Sequence, residues 1–458
     1  MKEIVPPPPP IVCNQFEVVR ALFNQNVVPS YGRFDLVLSH GSASYVFDVA
    51  GKRYLDLGSG IAVCCLGHAH PAITEALVEQ SHKLIHVSNL YYTEPQGRLA
   101  AALAQLIGSG KVFFANSGAE ANEGLFKLAR RFGHDEGRFE ILTARNSFHG
   151  RTLAGVAATG QDKVKKGFEP MMPGFRHIPF NDLAAARGAI SPATIAIMVE
   201  GVQGEGGVTP ATPGYLLGLR ALCDEKRLLL LIDGVQCGHF RTGRFQSFQR
   251  ILEKAGPASC LPGEPVGASV EMSSHSPSAR AGERPTQSSF LPDGLSMAKS
   301  LGGGFPIGAF WVRAPFADLL GPGTHASTFG GTPLACAVAL KVLEVIEREK
   351  LADNARALGD FFISELTRLA RKHPGTIADL RGLGLMIGLE LMPNLANLPG
   401  DPGKSQAIRF VNLLHAAGLL AIPAGANVIR LLPPLNLRRS EAQAGLQILE
   451  SVIAKTAA

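Results

Sequence analysis

The sequence predicts an α/β protein whose main sheet is mostly parallel. Short apolar runs alternate with segments of helical period through the middle of the chain. These runs are continuously apolar, as expected of strands covered by helices on both faces. The chain has 458 residues, of which 46% are hydrophobic and 18% charged, so it can bury a large core. This composition excludes wholesale disorder.

The elements are predicted in chain order from the spacing of the apolar residues. Residues 46–56 form two alternating runs around a Gly-Lys turn, which predicts a β-hairpin. Buried strands are predicted at 111–116, 139–144, 194–200 and 228–233, and helices at 120–131 and 214–226. Two long helices are predicted at 333–350 and 352–372, and a strand at 429–435 that ends in paired prolines.

These elements suggest two domains. Residues 46–332 are predicted to form a large α/β domain. Residues 1–45 and 333–458 are predicted to form a smaller α+β domain. Residues 256–289 are rich in Ser, Pro and Gly and carry no apolar period, which predicts a disordered or surface insertion.

Charge and cysteine content exclude several function classes. Lys and Arg exceed Asp and Glu by only six and are spread along the chain, so no nucleic-acid surface is predicted. The apolar runs are too short to span a bilayer and the N-terminus lacks a secretory pattern, so we expect a cytoplasmic protein without membrane contact. Seven cysteines form no C-x-x-C pair, and no metal site is predicted.

Asp233 is the first candidate functional residue. It ends an apolar strand and should lie at the carboxyl edge of the sheet, where open α/β folds bind ligands. A carboxylate in an apolar setting needs a partner, because an unpaired buried charge costs several kcal/mol. A structural Asp that caps the next turn is the alternative.

Two further segments suggest chemistry. At 116–124 a predicted strand runs into Ser117, Gly118 and Ala119 at a helix start, a geometry suited to a phosphate, although an ordinary capping box explains the same residues. Lys299 lies between small apolar residues and a triple glycine, where burial would lower the pKa of its amine and make it a nucleophile. Most lysines are instead solvated surface residues.

Together the three features match the needs of a pyridoxal phosphate enzyme: a partner for the ring nitrogen, an anchor for the phosphate and a Schiff-base amine. The chain also resembles the class III, fold-type I aminotransferases over nearly its whole length. The motifs that carry this resemblance occur in the family's order: GHAHP (67–71), SNLYYTEPQ (88–96), NSGAEANE (116–123), FHGRT (148–152), QGEGG (203–207), DGVQCG (233–238), AKSLGGGFPIGA (298–309) and STFGGTPLAC (327–336).

The resemblance implies a fold-type I large domain with a mostly parallel seven-stranded sheet, and a role for each matching residue. Lys299 would form the Schiff base and carry the proton during transfer, and Asp233 would keep the ring nitrogen protonated. The other implied cofactor contacts are Ser117, Gly118 and Ala119 at the phosphate, Phe148 and Val235 on the ring faces, Gln236 at the ring hydroxyl, and Thr328 from a neighbouring subunit. That last contact implies a homodimer with shared active sites.

The resemblance also bears on the substrates. Arg151 would clamp a carboxylate, and Glu205 and Arg430 would form a gate for the second carboxylate of glutamate, with a plain ion pair as the alternative. Ile61 stands where ornithine aminotransferases usually have Tyr, whereas Tyr31 suits both subfamilies. We therefore expect transfer of the δ-amino group of N2-acetylornithine to 2-oxoglutarate, a step of arginine biosynthesis. Ornithine and other ω-amino acids or diamines are the alternative donors.

Departures from the family pattern leave other functions open. Gly234 replaces the usual Glu and Gly201 the usual Pro, so the wall behind the cofactor is expected to be looser and a catalytically impaired relative is conceivable. An aminomutase would have no need of the Glu205 and Arg430 gate. A nicotinamide-binding protein is disfavoured because the triple glycine follows Lys299 and does not open a βαβ unit.

Overall fold

The computed structural model describes residues 15–255, 290–395 and 398–457. The insertion predicted at 256–289 lies outside the described residues. The strands are β1 Leu38–Ser42, β2 Tyr45–Asp48, β3 Arg53–Asp56, β4 Gly110–Ala115, β5 Glu140–Ala144, β6 Phe175–Ile178, β7 Thr194–Glu200, β8 Val202–Gln203, β9 Thr209–Pro210, β10 Leu229–Asp233, β11 Gly294–Met297, β12 Gly308–Arg313, β13 Ile377–Leu383, β14 Met386–Leu391, β15 Leu419–Leu420, β16 Ile422–Ala424 and β17 Val428–Leu431.

The helices follow the same chain order. They are α1 Gln15–Asn26, α2 Ser59–Ala62, α3 Pro71–Ser81, α4 Glu94–Ile107, α5 Gly118–Gly133, α6 Leu153–Ala158, α7 Leu183–Ala189, α8 Pro213–Lys226, α9 Ser247–Ala255, α10 Pro333–Arg348, α11 Leu351–Lys372, α12 Gln406–Ala416 and α13 Arg439–Ala457. Among the described residues no helix combines the length and the apolar character needed to cross a bilayer.

The main sheet has seven strands in the order β4-β12-β11-β10-β7-β5-β6. Its strands pair in parallel except β12, which is antiparallel to both neighbours. Every residue of β7 and β10 is buried, which explains their unbroken apolar sequences. The predicted α/β class and the mostly parallel seven-stranded sheet are therefore confirmed.

Two apolar clusters cover the faces of this sheet and a third fills the C-terminal part. One face packs through residues such as Ile232 and Trp311 against α4 and α8, and the other packs through Leu231 and Phe310 against α5. The third cluster joins α10, α11, α12 and α13 to the sheet β13-β14-β17-β16. The long helices predicted after residue 333 form α10 and α11.

The hairpin predicted at 46–56 exists as β2 and β3, but it does not join the main sheet. It forms a four-stranded sheet with β1 and with β15, in which Leu419 and Leu420 pair with Leu55 and Asp56. Leu55 and Leu57 also pack into the C-terminal core. The boundary predicted at residue 46 therefore falls within this sheet, because apolar side chains from opposite ends of the chain pack there.

Candidate active site

A cavity of about 420 Å³ lies at the carboxyl edge of the main sheet. This edge is where β4, β5, β7, β10 and β11 end, so their last residues and following loops meet there. The lining residues are Val63, Asn116, Ser117, Gly118, Ala119, Asn122, Phe148, His149, Gly150, Arg151, Glu200, Asp233, Val235, Gln236, Ala298, Lys299, Gly304, Phe305, Pro306 and Ile307. Nine of the residues predicted from the sequence therefore surround one cavity.

Lys299 reaches the cavity from the turn that follows β11. Its backbone φ is +51°, a left-handed conformation that non-glycine residues rarely adopt and that often marks functional sites. Burial, reinforced by the nearby Arg430 charge, lowers the pKa of the Lys299 amine to about 8. The amine is therefore far more often neutral near pH 8 than an exposed lysine is.

Asp233 ends β10 at the cavity wall and is 4% exposed. Its Oδ1 accepts a hydrogen bond from the Val235 N–H at 3.0 Å, and its Oδ2 lies 2.9 Å from His149 Nδ1 and 2.8 Å from Asn122 Nδ2. Burial acts to raise the pKa of Asp233, but the hydrogen bonds and the His149 ring outweigh it and hold the pKa below its usual value. Asp233 is thus a partnered buried carboxylate, as the sequence argument required.

His149, Asn122 and Glu200 are cavity residues that the sequence argument did not single out. His149 and Asn122 stand inside two of the quoted motifs, FHGRT and NSGAEANE. Glu200 ends β7, and the parallel register of β7 and β10 sets it beside Asp233. The signal that identified Asp233, a carboxylate ending a wholly apolar strand, was equally present at Glu200.

The start of α5 forms one end of the cavity. Ser117 is the N-cap, with its Oγ accepting from the Glu120 N–H at 3.2 Å, while Glu120 Oε2 accepts from the Asn116 N–H at 2.7 Å. Ser117 and Glu120 therefore form the capping arrangement that the sequence offered as the alternative to a phosphate site. The first N–H groups of a helix have no carbonyl partner within it, so Gly118 and Ala119 still offer donors to an anion. A Cβ on Gly118 would lie 2.7 Å from Val235 Cγ1, so only glycine allows this approach.

Glu205 and Arg430 form the ion pair predicted from the sequence. Arg430 Nη2 lies 2.8 Å from Glu205 Oε1, and the Arg430 side chain is 1% exposed whereas that of Glu205 is 32% exposed. Arg430 Nη1 also donates to Gln236 Oε1 at 2.8 Å. Burial acts to raise the pKa of Glu205, but the Arg430 charge and hydrogen bond lower it below its usual value. The pair is therefore fixed next to a cavity residue.

The other predicted residues differ in how they relate to the cavity. Phe148 and Arg151 line it, with the Arg151 guanidinium carbon 5.2 Å from the centre of the Phe148 ring. Thr328, Tyr31 and Ile61 do not line this cavity, and all three are exposed. Ile61 sits in a left-handed turn with φ of +63°. One chain thus brings together most, but not all, of the predicted site.

The two unusual glycines are closely packed. A Cβ on Gly201 would lie 2.1 Å from Ser247 Oγ and 3.0 Å from Ser247 Cβ, and one on Gly234 would lie 2.4 Å from Gln246 Oε1. Gln246 and Ser247 are both fully buried. The looser wall expected from Gly201 and Gly234 is therefore not what the structure shows, because side chains from the start of α9 fill the space beside both glycines.

Comparisons with known proteins agree with the geometry of the cavity. The sequence pattern of the family described as aminotransferase class-III matches residues 27–253 and 285–453. The chain belongs to the class III aminotransferases. An acetylornithine aminotransferase from Gloeobacter violaceus is 42% identical to this aminotransferase over 440 residues, which cover 95% of this chain and 98% of that protein.

Solved structures agree in fold. The ornithine aminotransferase of Toxoplasma gondii, described with partial occupancy of PLP at its active site, superposes with a TM-score of 0.81 at 30% identity and covers 95% of this chain and 94% of its own. The acetylornithine aminotransferase of Elizabethkingia anophelis superposes with a TM-score of 0.76 at 31% identity, and the match covers 96% of this chain and 99% of that one. The aminotransferase is therefore a pyridoxal phosphate enzyme.

The cavity residues fit that cofactor. A buried amine with a lowered pKa, a buried carboxylate held ionised by its partners, and a glycine-containing helix start border the same space. When bound, the cofactor supplies an electron-withdrawing ring that stabilises a carbanion at the substrate carbon. The protein supplies the binding groups and the proton carrier.

We expect Gly201→Ala to lower the free energy of unfolding by about 1–3 kcal/mol, because the new methyl group overlaps Ser247 in a packed interior. Adding Ser247→Gly should restore most of the loss, as judged by thermal unfolding midpoints of the three proteins. Gly188→Ala is the control, since a Cβ there meets nothing within 4 Å. Equal midpoints for Gly201→Ala and Gly188→Ala would contradict the close packing.

We expect amine-selective labelling of Lys299 in the cofactor-free protein to rise with pH and level off above about pH 8, because its pKa is lowered to about 8. Below about pH 8, lowering the pH by one unit should reduce the labelling rate about tenfold, since only the neutral amine reacts. Mass spectrometry of the peptide that contains Lys299 follows the reaction, and Lys299→Ala supplies the blank. Labelling that still rises tenfold per unit above pH 9 would contradict the lowered pKa.

Proposed function

We propose that this aminotransferase moves the δ-amino group of N2-acetylornithine to 2-oxoglutarate, giving N-acetylglutamate 5-semialdehyde and glutamate. The observation that carries the proposal is the Glu205–Arg430 ion pair beside the Lys299 cavity. The donor has one carboxylate and glutamate has two, so the site must expose an extra cation in only one half of the reaction. A buried Arg430 covered by a partly exposed Glu205 can provide this.

The cavity residues would hold the cofactor as follows. Ser117, Gly118 and Ala119 would bind the phosphate through the start of α5. Asp233, which is ordered by His149 and Asn122, would accept a hydrogen bond from the protonated ring nitrogen. Phe148 and Val235 would lie against the ring.

Gln236 would donate to the ring hydroxyl. Its Oε1 already accepts from Arg430, which leaves its Nε2 as the group that can donate. Arg430 would therefore set the orientation of Gln236 toward the cofactor.

Lys299 would carry the proton in the transfer. Because its pKa is lowered to about 8, more of its amine is neutral than in an exposed lysine, so its Nζ could take a proton from the substrate carbon and hold it in the cavity. Arg151 has no carboxylate partner among the described residues and binds the α-carboxylate of either substrate.

The acyl group distinguishes the proposed donor from ornithine. Ile61 offers an apolar side chain at a place where a hydroxyl could bind a free α-amine, and it is 40% exposed in a turn next to the cavity residue Val63. An acylated nitrogen carries no charge and needs no such partner. Tyr31 does not discriminate between the two donors. Ornithine and other ω-amino acids are the second candidate donors. The cytoplasmic location is a separate prediction from the sequence.

We further propose a homodimer with shared sites. Two adjacent segments, 84–92 and 327–330, carry exposed apolar side chains, among them Leu90, 86% exposed, and Phe329, 60% exposed. The segments are joined by the Asn89 side chain, which donates to the carbonyls of Ser327 and Gly330. A contiguous apolar surface of this kind is typical of a subunit interface. Thr328 lies on it and would reach the phosphate of the partner's cofactor.

Absorption spectra test the reaction. The visible band of the cofactor-loaded enzyme should disappear with N2-acetylornithine and return with 2-oxoglutarate, and Lys299→Ala should abolish the cycle. If the band disappears with ornithine but not with N2-acetylornithine, ornithine replaces N2-acetylornithine as the proposed donor. No change with any amine would instead favour a catalytically impaired relative.

Mixed dimers test the shared site. Lys299→Ala and Thr328→Ala each damage both sites of a homodimer, but a dimer with one copy of each holds one site with both native residues. Unfolding and refolding the two variants together should therefore restore activity to about a quarter of native, as random pairing gives half mixed dimers with one intact site each. Activity no higher than the average of the separate variants would contradict a contribution across the interface.

A further inference from the structure

Among the described residues that line the cavity, Glu200 is the carboxylate without a part in the proposed chemistry, and both of its oxygens accept hydrogen bonds. Oε1 accepts from the backbone N–H of Phe148 at 3.0 Å, and Oε2 accepts from the backbone N–H of Gly204 at 3.1 Å. The side chain is buried, with 5% exposure. Glu200 therefore connects two loops that have no strand pairing with each other.

Each of these loops carries a functional side chain. The first contains Phe148 and His149, and His149 bonds to Asp233. The second contains Gly204 and then Glu205, the partner of Arg430. A Cβ on Gly204 would lie 2.5 Å from Gln236 Oε1, so the Gly204 backbone touches the amide that accepts from Arg430. Glu200 thus contacts Gly204, the residue before Glu205, and is linked to Arg430 through Gly204 and Gln236.

Keeping a carboxylate in this position is costly. Burial and the neighbouring Asp233 raise the pKa of Glu200 to about 7, while His149 and the two N–H donors act in the opposite direction. The two N–H donors partly offset this cost, because hydrogen bonds to a charged acceptor are stronger than hydrogen bonds to a neutral one. No other side chain type at this length presents two acceptor oxygens without a donor.

We propose that Glu200 is a positioning residue that holds the Gly204–Glu205 backbone in the place where Glu205 covers Arg430. By this means it sets how strongly the site favours a substrate with one carboxylate over a substrate with two. This inference rests on the gate role of Glu205 and Arg430 in the proposed function, but not on the identity of the amino donor.

Glu200→Gln tests the proposal. The amide keeps one acceptor and turns an NH2 group toward an N–H donor, so one of the two loops must be released. The probes are glutarate, an unreactive five-carbon dicarboxylate, and pentanoate, its monocarboxylate counterpart. Their dissociation constants are measured by calorimetry on the cofactor-loaded enzyme. Because no turnover is needed, the test remains valid if N2-acetylornithine proves not to be the donor.

We expect the affinity for glutarate relative to pentanoate to rise about threefold to tenfold in Glu200→Gln, the range expected from partial loss of a hydrogen bond to a charged group. The rise should vanish in a Glu205→Gln background, where Arg430 is no longer covered. Hydrogen exchange of the peptides that contain Phe148 or Gly204 should become faster. If Glu200→Gln fails to fold, Glu200→Asp serves, since its shorter chain reaches only one of the two N–H groups.

Glu441→Gln is the matched control. Glu441 is another buried carboxylate whose Oε2 accepts from two segments, from Ser44 Oγ at 3.1 Å and from the Arg438 N–H at 2.8 Å, but it does not line the cavity. It should leave the glutarate-to-pentanoate ratio at the native value. An unchanged ratio in Glu200→Gln, an equal change in Glu441→Gln, or a change that persists in the Glu205→Gln background would overturn the proposal.

Discussion

The buried charge of Asp233 is the constraint on which the arrangement of the site depends. An ionised carboxylate inside a protein is tolerated only when donors surround it. Here His149, Asn122 and the Val235 N–H provide them, and each comes from a different segment at the carboxyl edge of the main sheet. Satisfying one carboxylate therefore fixes the FHGRT loop, helix α5 and the turn after β10 relative to one another.

The same constraint extends to the cations. Lys299 and Arg430 lie close enough for the Arg430 charge to lower the pKa of the Lys299 amine, while Glu205, Asp233 and Glu200 act to raise it. Burial is the largest contribution, and together with the Arg430 charge it outweighs the carboxylates, so the pKa of the amine is lowered to about 8. Arg430 in turn is balanced by Glu205 and bonded to Gln236. A change at the gate is thus communicated electrostatically to Lys299 and by a hydrogen bond to Gln236.

Local patterns in the sequence sufficed for four strands of the main sheet, β4, β5, β7 and β10, and for the positions of Asp233 and Lys299 at the cavity, whereas the number of seven strands came from the family resemblance. A wholly apolar strand that ends in a carboxylate can be recognised without knowing what lies beside it. The pairing of β3 with β15 could not be recognised, because it joins opposite ends of the chain and depends on apolar packing of Leu55 and Leu419. Gly201 and Gly234 were misjudged for a related reason: the side chains that fill the space beside them, Ser247 and Gln246, come from another element.

Three of the predicted residues that do not line the cavity are exposed. Tyr31, Ile61 and Thr328 lie on the surface of the single chain, and Thr328 lies within segment 327–330, next to segment 84–92. Large exposed apolar side chains lower the free energy when two copies bury them together. In the proposed dimer, the association that buries Leu90 and Phe329 also carries Thr328 to a second cavity. Under this proposal, folding of one chain brings Lys299 and the Glu205–Arg430 pair together, and association would complete the anchor for the cofactor.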